Sequence, residues 1–274
     1  MDGGLHLQTP AAARGASGAP ASLRVQGTAT ADGLRQAREL GPLAKLADDL
    51  RGSTAYSVVL GLRGGALEWQ LNSSLVGMAM NLPAPFAKPA EQALPLRIDS
   101  SMLRTAGSTA AARVQEQLRL ELGRLASAVY VRDVSGAQAK VLRGAIALGL
   151  ADDESAPLPE EGVVANVSMG TLDADAWSDV LERVAADSSG TPSLGMGSNA
   201  PAMGYLPTVL AVRTRELTIG GRKLHNLVVG GGREGLIWRA NLDASELNGY
   251  LEYRQPSGAN AGPVSYTHLT LPTS

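Results

Sequence analysis

Residues able to perform acid–base or metal chemistry are few and scattered along this chain. It has three histidines, His6, His225 and His268, and no cysteine. His225 lies in the strand-like run GRKLHNLVVG, where a single histidine is more often a packed or surface residue than a base or a ligand. His6 lies in a linker-like segment and His268 close to the end of the chain. A Ser-His-Asp triad and a histidine–cysteine metal centre therefore both lack parts.

The acidic and glycine-rich clusters have simpler explanations than catalysis. The acidic runs at 152–154 and 160–161 flank two prolines, which is typical of a solvated loop, and the spacing of a calcium-binding loop is absent. The run VVGGGREG at 228–235 lacks the Gly-Lys-Ser/Thr of a phosphate loop and is typical of a turn between strands. We therefore predict that the chain is not an enzyme and that it binds, scaffolds or conducts without a cofactor or a metal.

The composition is that of a folded protein of modest charge. The 274 residues are 44% hydrophobic and include 24 basic and 26 acidic side chains, a formal net charge of −2. That balance gives no electrostatic attraction to nucleic acid, and the aromatic residues (4%) are too scattered to form a base-stacking platform. We expect no nucleic-acid partner.

Alternating apolar residues predict strands in most of the chain. The alternation is clear in five segments, 56–62, 67–71, 118–122, 236–242 and 251–253. Such a pattern indicates a sheet with one dry face and one wet face. Short glycine-rich turns join successive segments, which favours an antiparallel meander.

Two helical segments interrupt the predicted strands. The first covers 32–50 and should be divided by Pro42, which fits the first turn of a second helix. The second begins at Asp173 or Asp175, and Trp177 and Val180 start its apolar face. A helix followed by strands thus occurs twice, which suggests two β-rich modules, 23–150 and 151–262. The residues leave open whether these are a repeat or a coincidence.

Both ends of the chain differ in character from its middle. Residues 1–22 are biased toward Ala, Gly, Pro and Ser, as in a flexible linker. Residues 264–274, VSYTHLTLPTS, resemble a translated sequencing adapter. We therefore expect 263–274 to be an artefactual tail in which His268 has no role, and we expect the natural chain to extend beyond both ends.

The stretch GMAMNLPAPFAKP at 77–89 interrupts a strand pattern with three prolines. Pro83, Pro85 and Pro89 cannot donate ladder hydrogen bonds, so strand pairing should lapse there. The residues before Pro83 and Pro85 are biased toward extended backbone. We predict a stiff, polyproline-like excursion that leaves a sheet after the Trp69 run and returns to it at Leu94–Ile98.

The proline stretch also carries a family resemblance. It lies in SSLVGMAMNLPAPFAKPAEQALPLRI, which follows LRVQGTATADGLRQARELGPLAKLADDLRGSTAYSVVLGL and precedes RTRELTIGGRKLHNLVVGGGREGLIWRANLDASELNGYLEY. Over about Leu23 to Gly258 the chain resembles the YhdP family of AsmA-like proteins. The resemblance implies an elongated, curved antiparallel β-sheet with a groove, in a protein of the Gram-negative envelope.

Location and partners are implied by the same resemblance. Family members are anchored in the inner membrane by one N-terminal helix, cross the periplasm as elongated β-structure, and are implicated in moving phospholipid toward the outer membrane. We expect this chain to be a periplasmic fragment that lacks the anchor. Its expected partners are phospholipid acyl chains, the inner membrane through the missing helix, and outer-membrane proteins.

The predicted fold class is mainly β with two short helical segments, and the dry face is the predicted lipid-contacting surface. The predicted lining residues are Leu67, Trp69, Leu71, Leu118, Leu120, Leu122, Leu236, Trp238 and Leu242. An acyl chain on such a surface gains about 0.8 kcal/mol per buried CH₂. The alternative is a sealed hydrophobic core, which would suit a structural or assembly scaffold of the envelope without a lipid passage.

Overall fold

The computed structural model describes residues 22–37, 46–63, 66–103, 114–136, 138–149, 156–186, 204–254 and 264–270. Within these ranges the helices are α1 (Ala31–Gln36) and α2 (Ala174–Ala186). The strands are β1 (Ser22–Thr30), β2 (Leu50–Arg63), β3 (Ala66–Ser73), β4 (Met78–Met80), β5 (Leu96–Leu103), β6 (Gln115–Leu122), β7 (Ala126–Asp133), β8 (Lys140–Leu148), β9 (Gly162–Asp173), β10 (Val209–Ile219), β11 (Arg222–Glu234), β12 (Ile237–Asp243), β13 (Asn248–Arg254) and β14 (Val264–Thr270). The predicted fold class, mainly β with two short helical segments, is confirmed.

The chain folds as two compact units. The first unit comprises the described residues within Met1–Asn81, Ala87–Gly123 and Val131–Ala139, and the second comprises those within Leu82–Phe86, Arg124–Tyr130 and Lys140–Ser274. Hydrogen-bonded strands follow the order β1-β2-β3-β5-β6 in the first unit and β8-β9-β10-β11-β12-β13-β14 in the second, and β7 contributes residues to both. The module boundary at 150–151 stays a prediction.

Most strand pairs are antiparallel, as the short turns predict. The hairpin of β10 and β11, for example, turns at Gly220 and Gly221, whose φ values of 58° and 68° suit a two-residue turn that matches the strand twist. β9 differs, because it pairs in parallel with both β8 and β10. Parallel neighbours require a crossover connection, which α2 supplies between β9 and β10. The predicted meander is therefore wrong at β9.

The proline stretch leaves the sheet and returns to it as predicted. β3 pairs with β5, and the intervening chain contributes the short β4, which pairs with the start of β2. The excursion is not polyproline-like, however, because the Phe86 N–H donates to the Pro83 carbonyl (3.0 Å) and closes a turn. After the turn, Lys88 and Met80 exchange backbone hydrogen bonds of 2.8 and 2.9 Å.

Lys88 is the buried charge of this stretch. Only 5% of the residue is exposed, and its Nζ donates to the carbonyls of Pro89 (2.9 Å) and Gln92 (2.7 Å). Burial lowers the pKa of Lys88, and the nearby Glu91 carboxylate opposes that shift. Through these two hydrogen bonds Lys88 connects the end of the proline stretch to the turn that follows it.

Both predicted helices form, with changed limits. α1 is capped by Thr30, whose hydroxyl accepts the Gly33 N–H (3.0 Å), and it ends at Gln36. Of the predicted continuation past Pro42, residues 46–49 form a 3₁₀ turn. Leu50 is not helical, because it pairs with Met80 of β4 and begins β2. α2 begins as predicted, since the Asp173 carboxylate accepts the Ala176 N–H (2.9 Å).

Several predictions fall wholly or partly outside the described residues. These are the linker 1–22 (apart from Ser22), the Pro42 break and the acidic run 152–154. The predicted tail is described in part, because Val264–Thr270 forms β14 and pairs antiparallel with β13. That the tail is artefactual stays a prediction.

Candidate functional site

One face of the first unit is apolar across five strands. The register places Val25, Val58, Leu71, Ile98 and Leu120 opposite one another on β1, β2, β3, β5 and β6. Directly paired residues share a face of a sheet, so these side chains form one continuous aliphatic row, which we name the central row. With strands about 4.8 Å apart, the central row spans about 19 Å.

The rows beside the central row extend this surface. One flanking row is Leu23, Leu60, Trp69, Ser100 and Leu118. The other is Gly27, Tyr56, Ser73, Leu96 and Leu122. We name the three rows, with the adjoining Leu62 and Leu67, the first apolar face. Six predicted lining residues lie on it, Leu67, Trp69, Leu71, Leu118, Leu120 and Leu122, whereas the opposite face is polar, with residues such as Gln70, Arg97 and Arg119.

No large apolar side chain of the first apolar face is fully buried. Those of the central row are half-buried, and Leu62 and Leu67 at the margin are 51% and 54% exposed. On this side of β2, β5 and β6 the buried residues are polar. They are Thr54 (4% exposed), Ser100 (3%) and Glu116 (8%). The described residues therefore leave this face unsealed.

A buried ion pair marks one margin of the first apolar face. Ser100 donates to one oxygen of the Glu116 carboxylate, and Arg132 binds the other oxygen through Nε (3.1 Å) and a terminal nitrogen. The Arg132 and Glu116 side chains are 18% and 10% exposed. Burying an ion costs free energy unless partners such as these bind it. Because Glu116 pairs with Met102 in the strand register, the apolar surface ends here in a polar cluster.

The second unit has a comparable face. Its rows across β10 to β13 are Leu210, Gly231, Ala240 and Leu251; Val212, Val229, Leu242 and Gly249; and, from β11, Arg233, Trp238 and Tyr253. We name these rows the second apolar face. Strand packing is tight at its centre, because a Cβ on Gly231 would lie 2.6 Å from the Cβ of Ala240. Of the predicted lining residues, Trp238 and Leu242 lie on this face, whereas Leu236 lies in the turn before β12, 41% exposed.

A sealed cluster adjoins the second apolar face. It consists of Leu217, Leu227 and Ala244, which are 8%, 3% and 9% exposed. Packed against them are Leu172, Ala174, Leu224, Val229 and Leu242. Leu242, predicted to line an open groove, therefore contacts a closed core. Ala174 is the first residue of α2, so the helix and the β12–β13 turn that contains Ala244 supply the cover.

The start of α2 is fixed to the β10–β11 hairpin by one carboxylate. Asp175 accepts the N–H groups of Gly220 (2.7 Å) and Gly221 (2.8 Å). These hydrogen bonds, that of Gly221 first, lower the pKa of Asp175. The sequence pattern suggested Asp175 as a helix cap, but Asp173 fills that position, and Asp175 instead holds the hairpin against the helix.

His225 lies in a surface network of charges. Its Nδ1 is 2.5 Å from Glu246, and its Nε2 is 3.9 Å from Glu216, which also binds Lys223 (2.8 Å). The His225 backbone N–H donates to Glu246 (2.8 Å), and that bond is the largest cause of the lowered Glu246 pKa. The His225 side chain is 51% exposed. Among the described residues no cluster of three His, Cys, Asp or Glu side chains is placed to hold a metal ion.

Sequence reasoning missed three members of the central row, Val25, Val58 and Ile98. The available signal was alternation, which was visible for Val58 within 56–62 and for Ile98 within the run that follows the prolines. What alternation alone lacks is the register between strands. Only the pairing of β1, β2, β3, β5 and β6 shows that these residues face the same way as Leu71 and Leu120.

Comparison with known proteins identifies a family. No curated protein and no solved structure matches the chain. No helix in the described ranges is both long enough and apolar enough to span a membrane. A family model described as "YhdP protein" matches residues 5–273, nearly the whole length. The chain therefore belongs to the YhdP family of AsmA-like envelope proteins.

Proposed function

We propose that this chain lines part of a path for phospholipid on the periplasmic side of the inner membrane, with acyl chains lying against its apolar sheet faces. The observation that carries the proposal is the first apolar face, whose large apolar side chains are all half-buried or exposed. A soluble protein rarely leaves so continuous an apolar surface without a partner. Membership of an envelope family supports a lipid as that partner.

The chemistry of the central row suits an acyl chain that moves. Each CH₂ removed from water contributes about 0.8 kcal/mol, so a long chain is held by many small increments. Aliphatic side chains form no directional bonds, and a chain displaced by one methylene meets an equivalent surface. The opposite face of the sheet carries Gln70, Arg97 and Arg119, which disfavour lipid there. The proposed role is therefore passive lining, without a chemical step.

Lipid that copurifies with the chain tests this proposal. The chain is expressed in a bacterial envelope and purified, and its extracted phospholipid is measured against a control protein. We expect phospholipid with the natural sequence and its loss in Leu120→Asp, which places a charge in the central row. The matched control is Arg119→Asp, because Arg119 precedes Leu120 on β6 but lies on the polar face. This variant should still bind lipid. Equal amounts of lipid in the two variants would contradict the proposal. So would a natural sequence that carries no more phospholipid than the control protein.

A second candidate function has an observation of its own. The buried cluster of Leu217, Leu227 and Ala244 is what a sealed scaffold of the envelope would contain throughout. If scaffolding were the whole function, Leu120→Asp would leave the lipid content unchanged and would alter only the association with other envelope components. The same pair of variants therefore separates the two functions.

A further inference from the structure

Arg233 is the one charged side chain in the rows of the second apolar face. Side chains alternate along β11, so Arg233 and Gly231 lie on the same side of the sheet. The register continues the Arg233 row through Trp238 of β12 to Tyr253 of β13, and all three residues are half-buried. Arg233 therefore places a positive charge at one end of a surface that is otherwise uncharged.

The guanidinium of Arg233 lies over a ring and is not neutralised by the described chain. Its central carbon is 5.9 Å from the centre of the Trp238 ring, and such a contact leaves the in-plane N–H donors available for hydrogen bonds. No carboxylate among the described residues pairs with Arg233. The first unit differs, because its Arg132 is bound by the buried Glu116. Of these two arginines, Arg233 is the one able to bind an anion from outside.

The apolar surface beside Arg233 is bounded at its other end. The row next to Arg233 consists of Leu210, Gly231, Ala240 and Leu251, so two small residues lie between two leucines. Beyond that row, Val229 and Leu242 pack against the sealed cluster. Four residues of β11 separate Arg233 from Val229, a distance of about 13 Å. The surface thus has a cation at one end and a closed core at the other.

We propose that the second apolar face binds a glycerophospholipid in one fixed orientation, with its phosphate on Arg233 and an acyl chain along β11 and β12 over Gly231 and Ala240. A guanidinium binds two phosphate oxygens at once through parallel N–H donors. The rings of Trp238 and Tyr253 combine an apolar body with a polar group, which suits the region between headgroup and chain. The inference rests on the proposed function, because it adds an anchoring point for the same lipid.

The three tryptophans allow each face to be followed separately. Trp69 lies on the first apolar face, Trp177 on α2 and Trp238 on the second apolar face. Their indole N–H signals in the NMR spectrum of the isotope-labelled whole chain are therefore the readout. The probes are dihexanoyl phosphatidylglycerol, dihexanoylglycerol and inorganic phosphate, with both lipids below their micelle concentrations. We expect phosphatidylglycerol to shift the Trp238 signal with a higher affinity than dihexanoylglycerol.

Two variants separate the phosphate contact from the acyl contact. Arg233→Gln should weaken phosphatidylglycerol at Trp238 about tenfold, the loss of one charge-assisted contact, and leave dihexanoylglycerol unchanged. Leu251→Asp should weaken both lipids at Trp238, because both carry acyl chains. Neither variant should change the titration of Trp69, and unchanged Trp69 and Trp177 signals without lipid show that each variant is folded.

Arg254→Gln is the matched control for the loss of charge. Arg254 follows Tyr253 on β13, is exposed, and pairs with Ile237, so it lies on the opposite side of the sheet. It should leave every affinity unchanged. If Arg254→Gln weakened phosphatidylglycerol as much as Arg233→Gln, net charge would explain the effect and the site would be wrong.

The other outcomes separate this inference from the proposed function. If neither Trp69 nor Trp238 responds to any lipid, the proposed function itself fails. If Trp69 responds but phosphatidylglycerol binds at Trp238 equally well in the natural chain and in Arg233→Gln, only the phosphate site is wrong. Inorganic phosphate that binds at Trp238 as tightly as phosphatidylglycerol would overturn the lipid assignment. Unchanged binding of both lipids in Leu251→Asp would overturn the path given to the acyl chain.

Discussion

The two apolar faces have the same alternating pattern and differ in what lies over them. On the first, large residues such as Leu71 and Leu120 are half-buried, and the buried positions are polar. On the second, Val229 and Leu242 pack against Leu217 and Leu227, which are buried beneath the start of α2 and a turn. Alternation therefore defines a face that can be dry, and the connections between strands decide whether the chain itself covers that face.

The helices account for this difference. α1 has six residues and buries only Ala31 among its own side chains, so this short helix contributes little to covering the described part of the central row. α2 has thirteen residues, belongs to the crossover between parallel strands and is fixed to the β10–β11 hairpin by Asp175. An open face and a sealed core can thus arise from similar strands in one chain.

Removal of the buried carboxylate of the first unit should have the largest effect on stability. Glu116→Ala takes away the acceptor of Ser100 and of Arg132 in a poorly hydrated site. Breaking such a buried pair costs about 3–5 kcal/mol. The measurement is the free energy of unfolding from urea titration, followed by a probe in the first unit.

The control for this prediction lies on the same strand. Glu121→Ala removes a carboxylate whose only described ion pair, with Arg119, is long (3.9 Å) and half exposed. It should change the free energy of unfolding by less than about 1 kcal/mol. If both variants lose equally little, the polar cluster does not stabilise the margin of the first apolar face.

Leucine truncation compares the two faces directly. Leu227→Ala opens a cavity in the sealed cluster and should cost about 3 kcal/mol. Leu67→Ala removes a side chain of a residue that is 54% exposed and should cost less than about 1 kcal/mol. Urea unfolding of each variant is the measurement, with a probe in the corresponding unit. Similar losses at the two positions would mean that the first apolar face is as sealed as the second.

The sequence predicted the strands, the short helices and six residues of the first apolar face, because side-chain alternation is a local property. It could not predict that Leu242 packs against a closed core, since that depends on where Ala174 and Ala244 are brought from distant parts of the chain. The parallel pairing of β9 was missed for the same reason. The role of Asp175 was also missed, because its partners are backbone groups 45 and 46 residues away.

Acid should weaken the second unit more than the first. Hydrogen bonds lower the pKa of Asp175, Glu216 and Glu246 from ordinary values of 3.8, 4.5 and 4.5, and all three lie in the second unit. A carboxylate with a lowered folded-state pKa stabilises the fold above its unfolded pKa, and that contribution is lost as pH falls through the folded value. Amide hydrogen exchange of β10 and β11 should therefore accelerate below about pH 4 relative to β2 and β3.

Asp175→Asn tests the origin of this acid response. The amide oxygen is a weaker acceptor for Gly220 and Gly221, so the variant should be less stable at neutral pH and should show a shallower loss on acidification. Asp243→Asn is the control, because Asp243 is exposed on β12. An unchanged acid response in Asp175→Asn would assign the effect to Glu216 and Glu246 alone.

Raising the pH should change the stability of the first unit, by less than the other changes predicted above. Burial holds the pKa of Lys88 below its ordinary value of 10.5, so the unfolded chain binds more protons at pH values between the folded and unfolded pKa. Stability of the first unit should then rise as pH increases through the folded pKa toward 10.5. Lys88→Met should abolish that rise and lower stability at pH 7, since the carbonyls of Pro89 and Gln92 lose their donor.

Lys140→Met, at an exposed position on β8, should leave the rise intact. If urea unfolding between pH 8 and pH 10 gave the same slope in both variants, Lys88 would not be its cause.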